Sequence, residues 1–258
     1  MNGTIRRLLA GSALEPAARA VYRRMRPGDQ NERYDALTRA IMRRVLRPDS
    51  NGVDVGAHRG SLLRELVRLA PAGRHHAFEP LPSLAGRLRR RFPSVRVHEL
   101  ALSDRAGRAS FVHVVGRPGR SGFRLRPDEA ARTGCETIEV ETAPLDDVLD
   151  RDGPVAFIKV DVEGAEAAVL RGAAATLARW RPVVVFEHGV GAADAYDGAT
   201  ASIDETLRAA GLAIWTPDGW LAGGAALSRQ EFFDRYLAGE DYQYVAAPHP
   251  GDNAAWRS

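Results

Sequence analysis

From residue 51 onward, short apolar runs alternate with stretches of helical period, and this alternation limits the fold more than any other feature of the chain. A short apolar run is buried on both faces as a strand of a parallel sheet, and the helix-length segments between runs supply the crossovers. Candidate strands fall at 51–56, 75–79, 95–101, 155–162 and 182–187. Between them, Leu62, Leu63, Leu66, Val67 and Ala70 recur at helical spacing as far as Pro71, and Val169, Ala173, Leu177 and Trp180 do so as far as Pro182. Runs at 109–115 and 137–142 interrupt the pattern as two extra strands. Further on, Ser202 with Glu205 and Ser228 with Glu231 have capping-box spacing, closed by Gly211 and Gly239, and 212–215 and 242–247 are late strands.

The 258 residues are 45% hydrophobic and 27% charged, which suits one large globular domain or one domain with an appendage and excludes a disordered tail or a collagen-like repeat. Residues 1–47 are expected as a helical extension of two helices broken at Pro27-Gly28-Asp29, and 48–258 as the main domain. Ile5, Leu8 and Leu9 mark the first helix as amphipathic, with an apolar core too short for a secretory signal. Tyr34, Leu37, Ile41, Val45 and Leu46 give the second an apolar face that ends before Pro48. No apolar run nears the roughly 20 residues of a membrane helix. The single thiol, Cys135, allows neither an intrachain disulfide nor a zinc cluster and points to a reduced, cytoplasmic setting.

The 36 basic residues are 35 Arg and Lys159, and residues 1–47 hold eleven of the Arg against Glu15, Asp29, Glu32 and Asp35. Such an arm is first a solvated helix face, with peripheral contact to an anionic membrane or a phosphorylated substrate as alternatives. The segment from Arg117 to Pro127 sets Arg117, Arg120, Arg124 and Arg126 on a Gly- and Pro-containing loop, either a lid or anion clamp over a substrate or an exposed turn.

Two segments carry the chemistry. In VDVGAHRG (53–60), Asp54 and Gly56 lie two apart on the first strand and face the same way, and Gly60 opens the next helix. The GxxxG spacing after an acid suits a ligand bearing a cationic amino acid, where a dinucleotide would favour GxGxxG. Glu79 ends the second strand, where a carboxylate accepts from both hydroxyls of a ribose. An acid for an amino group and another for a ribose together describe S-adenosylmethionine. Asp104, in the turn after the third strand, is placed to receive an adenine amino group, although Asp before Gly107 is also ordinary turn chemistry. In FIKVDVEGAE (157–166), Lys159, Asp161 and Glu163 share one side of the strand, a costly arrangement unless the charges are paired or used.

With these segments in this order, the chain from Val53 to Gly189 resembles the FkbM family of S-adenosylmethionine-dependent methyltransferases. VDVGAHRG, AFEP, ALSD followed by Gly107, VETAPLDDVL (140–149), FIKVDVEGAE with Gly172 beyond it, and PVVVFEH carry the resemblance. One departure is His58, where the family's first motif usually has Asn. The resemblance implies an α/β, Rossmann-like class I methyltransferase fold, a seven-stranded mostly parallel sheet with a reversed last strand, helices on both faces and the N-terminal helical extension. It implies O-methylation of a hydroxyl on a sugar, glycolipid or natural product, with a small-molecule or glycan acceptor that the Arg loop would suit to a phosphate. It places the cofactor against Asp54, Gly56, Ala57, His58, Gly60, Glu79, Pro80, Ser103, Asp104 and Asp161. The catalytic group it implies is Lys159, Asp161, Glu163 and Glu187 with the adjacent His188.

Either Glu187 or His188 is expected as the general base, with Asp161 positioning the hydroxyl and Lys159 stabilising an alkoxide or the carboxylates. Metal independence is expected, with magnesium on Asp161, Glu163 and Glu187 as the alternative. The rival reading is a nucleic-acid methyltransferase using the basic arm. The fourth strand lacks the Asn/Asp-Pro-Pro-aromatic pattern of amino-group methylation, so no stable nucleic-acid partner is expected. The late aromatics Trp215, Trp220, Phe232, Phe233, Tyr236, Tyr242 and Tyr244 are expected mainly as packing.

Overall fold

A computed structural model describes residues 27–123, 134–149, 153–190, 198–249 and 252. The chain divides into two compact units, residues 1–38 and 39–258. The expected first helix, with Ile5, Leu8 and Leu9, lies outside the described residues, as do Arg124 and Arg126. In chain order the elements are α1 (Pro27–Val45), β1 (Asn51–Val55), α2 (Ser61–Leu69), β2 (His75–Phe78), α3 (Pro82–Arg91), β3 (Val95–His98), β4 (Ala101–Leu102), β5 (Gly107–Val114), β6 (Cys135–Ala143) and α4 (Leu145–Leu149). There follow β7 (Val155–Val160), α5 (Glu166–Arg171), α6 (Ala174–Trp180), β8 (Val183–Glu187), α7 (Ala199–Ala209), β9 (Ala213–Trp215), α8 (Pro217–Leu221), α9 (Arg229–Ala238) and β10 (Gln243–Ala247).

The apolar runs form a seven-stranded sheet in the order β3-β2-β1-β7-β8-β10-β9. The first five are parallel neighbours, and β10 runs antiparallel to both β8 and β9. The chain thus builds outward from β1 in one direction and from β7 in the other. The crevice between their carboxyl ends is where open sheets of this kind bind ligands.

Strand period divides the core. Phe157, Val183 and Val185 face a layer containing Ile41, Met42, Leu63, Leu66 and Leu88, while Ile158, Val160, Val184 and Phe186 face Leu170, Leu177, Ile203, Leu207 and Phe232. Of the late aromatics, Trp215, Phe232 and Tyr244 are buried, and the rest of the set is half-buried. Among the described residues no helix is long and apolar enough to cross a membrane.

Three expectations are redrawn by packing. The strand expected at 95–101 splits, because β4 leaves the main sheet to join β6 and β5 in a three-stranded sheet, order β4-β6-β5. The helix expected through Trp180 is two, α5 and α6. They are broken around Gly172, where a Cβ would stand 2.0 Å from the Ser103 carbonyl oxygen. The Ser228–Glu231 capping box forms and Gly239 closes that helix in the left-handed region. The Ser202–Glu205 pair does not cap: α7 starts at Ala199 behind Gly198, and Ser202 instead accepts a 2.7 Å hydrogen bond from Arg171.

At the crevice the β1 and β7 ends approach too closely for a side chain on Gly56. Its φ is +78°, and a Cβ would lie 1.9 Å from the Asp161 carbonyl oxygen, on a backbone tied to β1 by the Asp161 amide donating to Val55. Gly56→Ala is expected to cost about 3 kcal/mol through strain and a displaced backbone. A thermal melt checks this, and an unchanged midpoint would contradict it.

Candidate active site

The carboxyl ends of β1, β2 and β7 border a cleft of about 260 Å³ whose walls include Gly56, His58, Glu79, Leu102, Asp161 and Glu163. After β1 the chain folds back across β2, with the Gly56 and Ala57 amides both donating to the Phe78 carbonyl. This brings the next amide, that of His58, onto Glu79: Oε2 accepts from His58 at 2.8 Å and Oε1 from the Leu81 amide at 3.0 Å. Burial pushes the Glu79 carboxyl up, and these two amides draw it back. Each oxygen keeps further lone-pair capacity toward the cleft, as a vicinal diol requires.

Asp54 is buried, and its Oδ2 has no hydrogen-bond partner among the described residues. Burial pushes its carboxyl up to about 7, with Lys159 opposing and Asp161 and Glu79 adding to the rise. A buried acceptor left in this state suits a cationic donor. The pair therefore fits S-adenosylmethionine, Asp54 toward its ammonium and Glu79 toward its ribose.

Beside the cleft, Lys159 stands cross-strand from Asp54 and donates to Asp161 Oδ2 at 3.0 Å, with Glu187 Oε1 at 4.0 Å. Burial works against the ammonium. The charges of Asp161 and Glu187, the hydrogen bond to Asp161 and the charge of Asp54 outweigh it and hold Lys159 above its ordinary value. Glu187 is pushed up to about 8 by burial and by Asp161, against Lys159, with Glu163 and Glu166 adding to the rise. Its neighbour is separated from this group by strand period. His188 lies on the opposite face, buried, with Nε2 2.8 Å from Thr200 Oγ1 and its ring stacked on Tyr236 at 4.5 Å. Of the two, Glu187 is the one grouped with Lys159.

The turn after β7 is held by a residue the sequence reading passed over. Glu166 is buried, and its Oε1 accepts from the Val162 amide at 3.2 Å and the Gly164 amide at 3.1 Å. Burial pushes it up to about 7. The turn keeps Glu163 at φ +57°, and His58 across the cleft sits at +47°. Both are in the left-handed region that Asn, Asp and His tolerate better than most residues, so His can stand where Asn is usual. Strained backbone on both walls is the pattern expected where geometry is imposed for function.

Other expected contacts fall elsewhere. Pro80 lines the cleft, but Gly60 packs against Phe92 and Leu88, and Ala57 is in the core. Asp104 is paired with Arg171, whose Nε and Nη2 donate to its Oδ2 at 2.9 and 2.7 Å, and Ser103 lies 3.5 Å from its Oδ1. The wall opposite comes from the β5–β6 hairpin instead: Phe111, Pro118, Gly119, Ser121 and Phe123 line the cleft. The described part of the Arg loop is therefore a cleft wall, with Gly119 against the His58 ring. Nothing local in the sequence marks Phe111 and Phe123 for this place. Among the described residues no three His, Cys, Asp or Glu side chains converge as a metal site would need.

The family model of the methyltransferase FkbM domain matches residues 54–212. The 2-O-methyltransferase NoeI of Sinorhizobium fredii is 32% identical over 159 residues, 55% of this chain and 65% of NoeI. The AMB antimetabolite synthetase AmbE of Pseudomonas aeruginosa is 29% identical over 201 residues, 63% of this chain and 9% of AmbE. The chain thus spans less than two thirds of either relative. A crystal structure of methyltransferase FkbM from Methylobacillus flagellatus is 18% identical, with a TM-score of 0.46, over 78% of this chain and 44% of the other.

The raised carboxyls make a linkage prediction. Asp54 and Glu187 bind protons in the folded chain at pH values where the unfolded chain has released them. Their contribution to stability is full below the ordinary carboxylate range and is lost as pH rises through about 7 and 8. The melting temperature of the ligand-free protein should fall by several degrees over that window, and Glu187→Gln should flatten the fall. A midpoint that is level or rising there would contradict the assignment.

Proposed function

Because the chain belongs to the FkbM family of S-adenosylmethionine-dependent methyltransferases, we propose that it methylates a hydroxyl of a sugar, glycolipid or small natural product. The observation that carries this reading is Glu187, raised to about 8 and 4.0 Å from the Lys159 ammonium beside a cleft suited to the cofactor. S-adenosylmethionine, when bound, supplies an electrophilic methyl on a cationic sulfur. Asp54 and Glu79 would hold its ammonium and ribose, and Phe111 and Phe123 would exclude water from the cleft wall.

Methyl transfer of this kind is an in-line displacement, so the chain gains most by aligning the acceptor oxygen and by taking its proton as the bond forms. Glu187 takes that proton: a carboxylate with a raised proton affinity is a stronger base than an ordinary one. Lys159 stays protonated between Asp161 and Glu187 and stabilises the negative charge that develops on the oxygen. Asp161, partly exposed at the cleft, orients the hydroxyl. The methyl that the cofactor would supply would pass from sulfur to the acceptor oxygen, whose proton Glu187 would keep. Asp161 and Glu163 on the cleft wall favour a neutral polyhydroxy acceptor over a polyanion. NoeI, by its name a 2-O-methyltransferase, supports oxygen as the acceptor atom.

Transfer of labelled methyl to sugar and glycolipid acceptors tests the reading. Glu187→Gln should lower turnover by about 100-fold or more while S-adenosylhomocysteine still binds. Lys159→Arg should also lose activity, because a planar guanidinium does not replace a compact ammonium in this position. Glu79→Gln should instead weaken binding of S-adenosylhomocysteine about tenfold. Full turnover by Glu187→Gln would remove it as the base.

A further inference from the structure

We propose that the helical layer formed by residues 39–47, α2 and α3 is a docking surface for an anionic membrane. Residues 39–47, 59–69 and 82–91 contain eleven Arg and one acid, Glu65. All three segments turn apolar residues, among them Ile41, Leu63 and Leu88, onto the same face of the main sheet. Their arginines are left on the outside, and every one except the half-buried Arg39 is exposed.

Glu65 is shared by Arg68 at 2.7 Å and Arg43 at 3.5 Å, and Arg89 pairs with Glu99 at 2.8 Å. The helices covering the other half of the core, α4, α5, α6, α7 and α9, carry seven acids and five Arg. A preference for Arg over Lys explains which basic residue is used, but it does not place an excess of nine positive charges on residues 39–47, α2 and α3.

Three observations favour a bilayer over a nucleic acid. The layer exposes no aromatic side chain among its described residues on which bases would stack: Phe92 is buried, and Trp220 at its edge lies under Arg44 with 5.0 Å from guanidinium to ring. The cleft is lined by Asp161 and Glu163, carboxyl side chains that disfavour a polyanion approaching the reacting centre. In the sequence, residues 5–9 set Arg6 and Arg7 among Ile5, Leu8 and Leu9, the mixture of basic and apolar residues that the lipid interface takes. Headgroup phosphates are matched by guanidinium forks, and each Arg close to an anionic surface adds to binding.

The test is co-sedimentation of the full chain with phosphatidylcholine vesicles made with and without phosphatidylglycerol. Binding is expected to the anionic vesicles alone and to disappear as salt rises toward about 0.5 M. The Arg64→Glu, Arg87→Glu, Arg90→Glu triple variant should lose roughly 100-fold in partitioning, with its melting temperature and S-adenosylhomocysteine binding kept. If that variant does not fold, the corresponding Gln variant and the salt titration of the unaltered chain decide the matter. Equal binding to both vesicle types, absence of binding, undiminished binding by the folded variant, or tighter binding to poly-uridylate than to vesicles at the same salt would each overturn the proposal. The vesicle result does not depend on methyl transfer. A chain that bound vesicles but no S-adenosylhomocysteine would fail the functional reading alone.

Discussion

Lys159 lies buried on the central strand with Asp161 at 3.0 Å, Glu187 at 4.0 Å and Asp54 in the neighbouring register. Each of these charges alone would be too costly to bury there. Together they are tolerated because one compact ammonium, with three donors, faces carboxylates from three adjacent strands. Remove that ammonium and the acids repel one another inside the sheet. Their charges raise it against the pull of burial, while burial raises Asp54 and Glu187. The catalytic proposal uses the same balance that lets the strand ends coexist.

Backbone geometry keeps this group beside the cleft. Gly56 lets the β1 end pass against Asp161, the fold-back onto Phe78 sets the His58 amide on Glu79, and Glu166 ties the turn that carries Asp161 and Glu163. The strain at His58 and Glu163 is sustained by these contacts, one turn on each side of the cleft. The sheet beneath is largely apolar, and Asp54, Lys159 and Glu187 stand near the strand ends where strand order reverses.

Much of this was legible in the sequence, for a physical reason. Buried parallel strands must be apolar and side chains alternate across them, so the runs located β1, β2, β7 and β8, and period two placed Asp54, Lys159, Asp161 and Glu187 at their ends. The same rule, applied one residue further, sends His188 to the other face, against Thr200. Partners distant in the chain were not legible. Asp104 is claimed by Arg171, Ser202 is bonded to the same guanidinium, and the hairpin that brings Phe111 and Phe123 to the cleft leaves no periodic signal. Glu166 was hidden because an acid in the first turn of a helix needs no further explanation.

The central claim is that Asp54 and Glu187, beside the Lys159–Asp161 pair, hold protons until a cationic ligand arrives. Calorimetry of S-adenosylmethionine binding near pH 7, in buffers of differing ionisation enthalpy, measures that directly. Release of about one proton per ligand bound is predicted, and less for S-adenosylhomocysteine, which lacks the sulfonium charge. Binding of S-adenosylmethionine with no proton release would contradict the account.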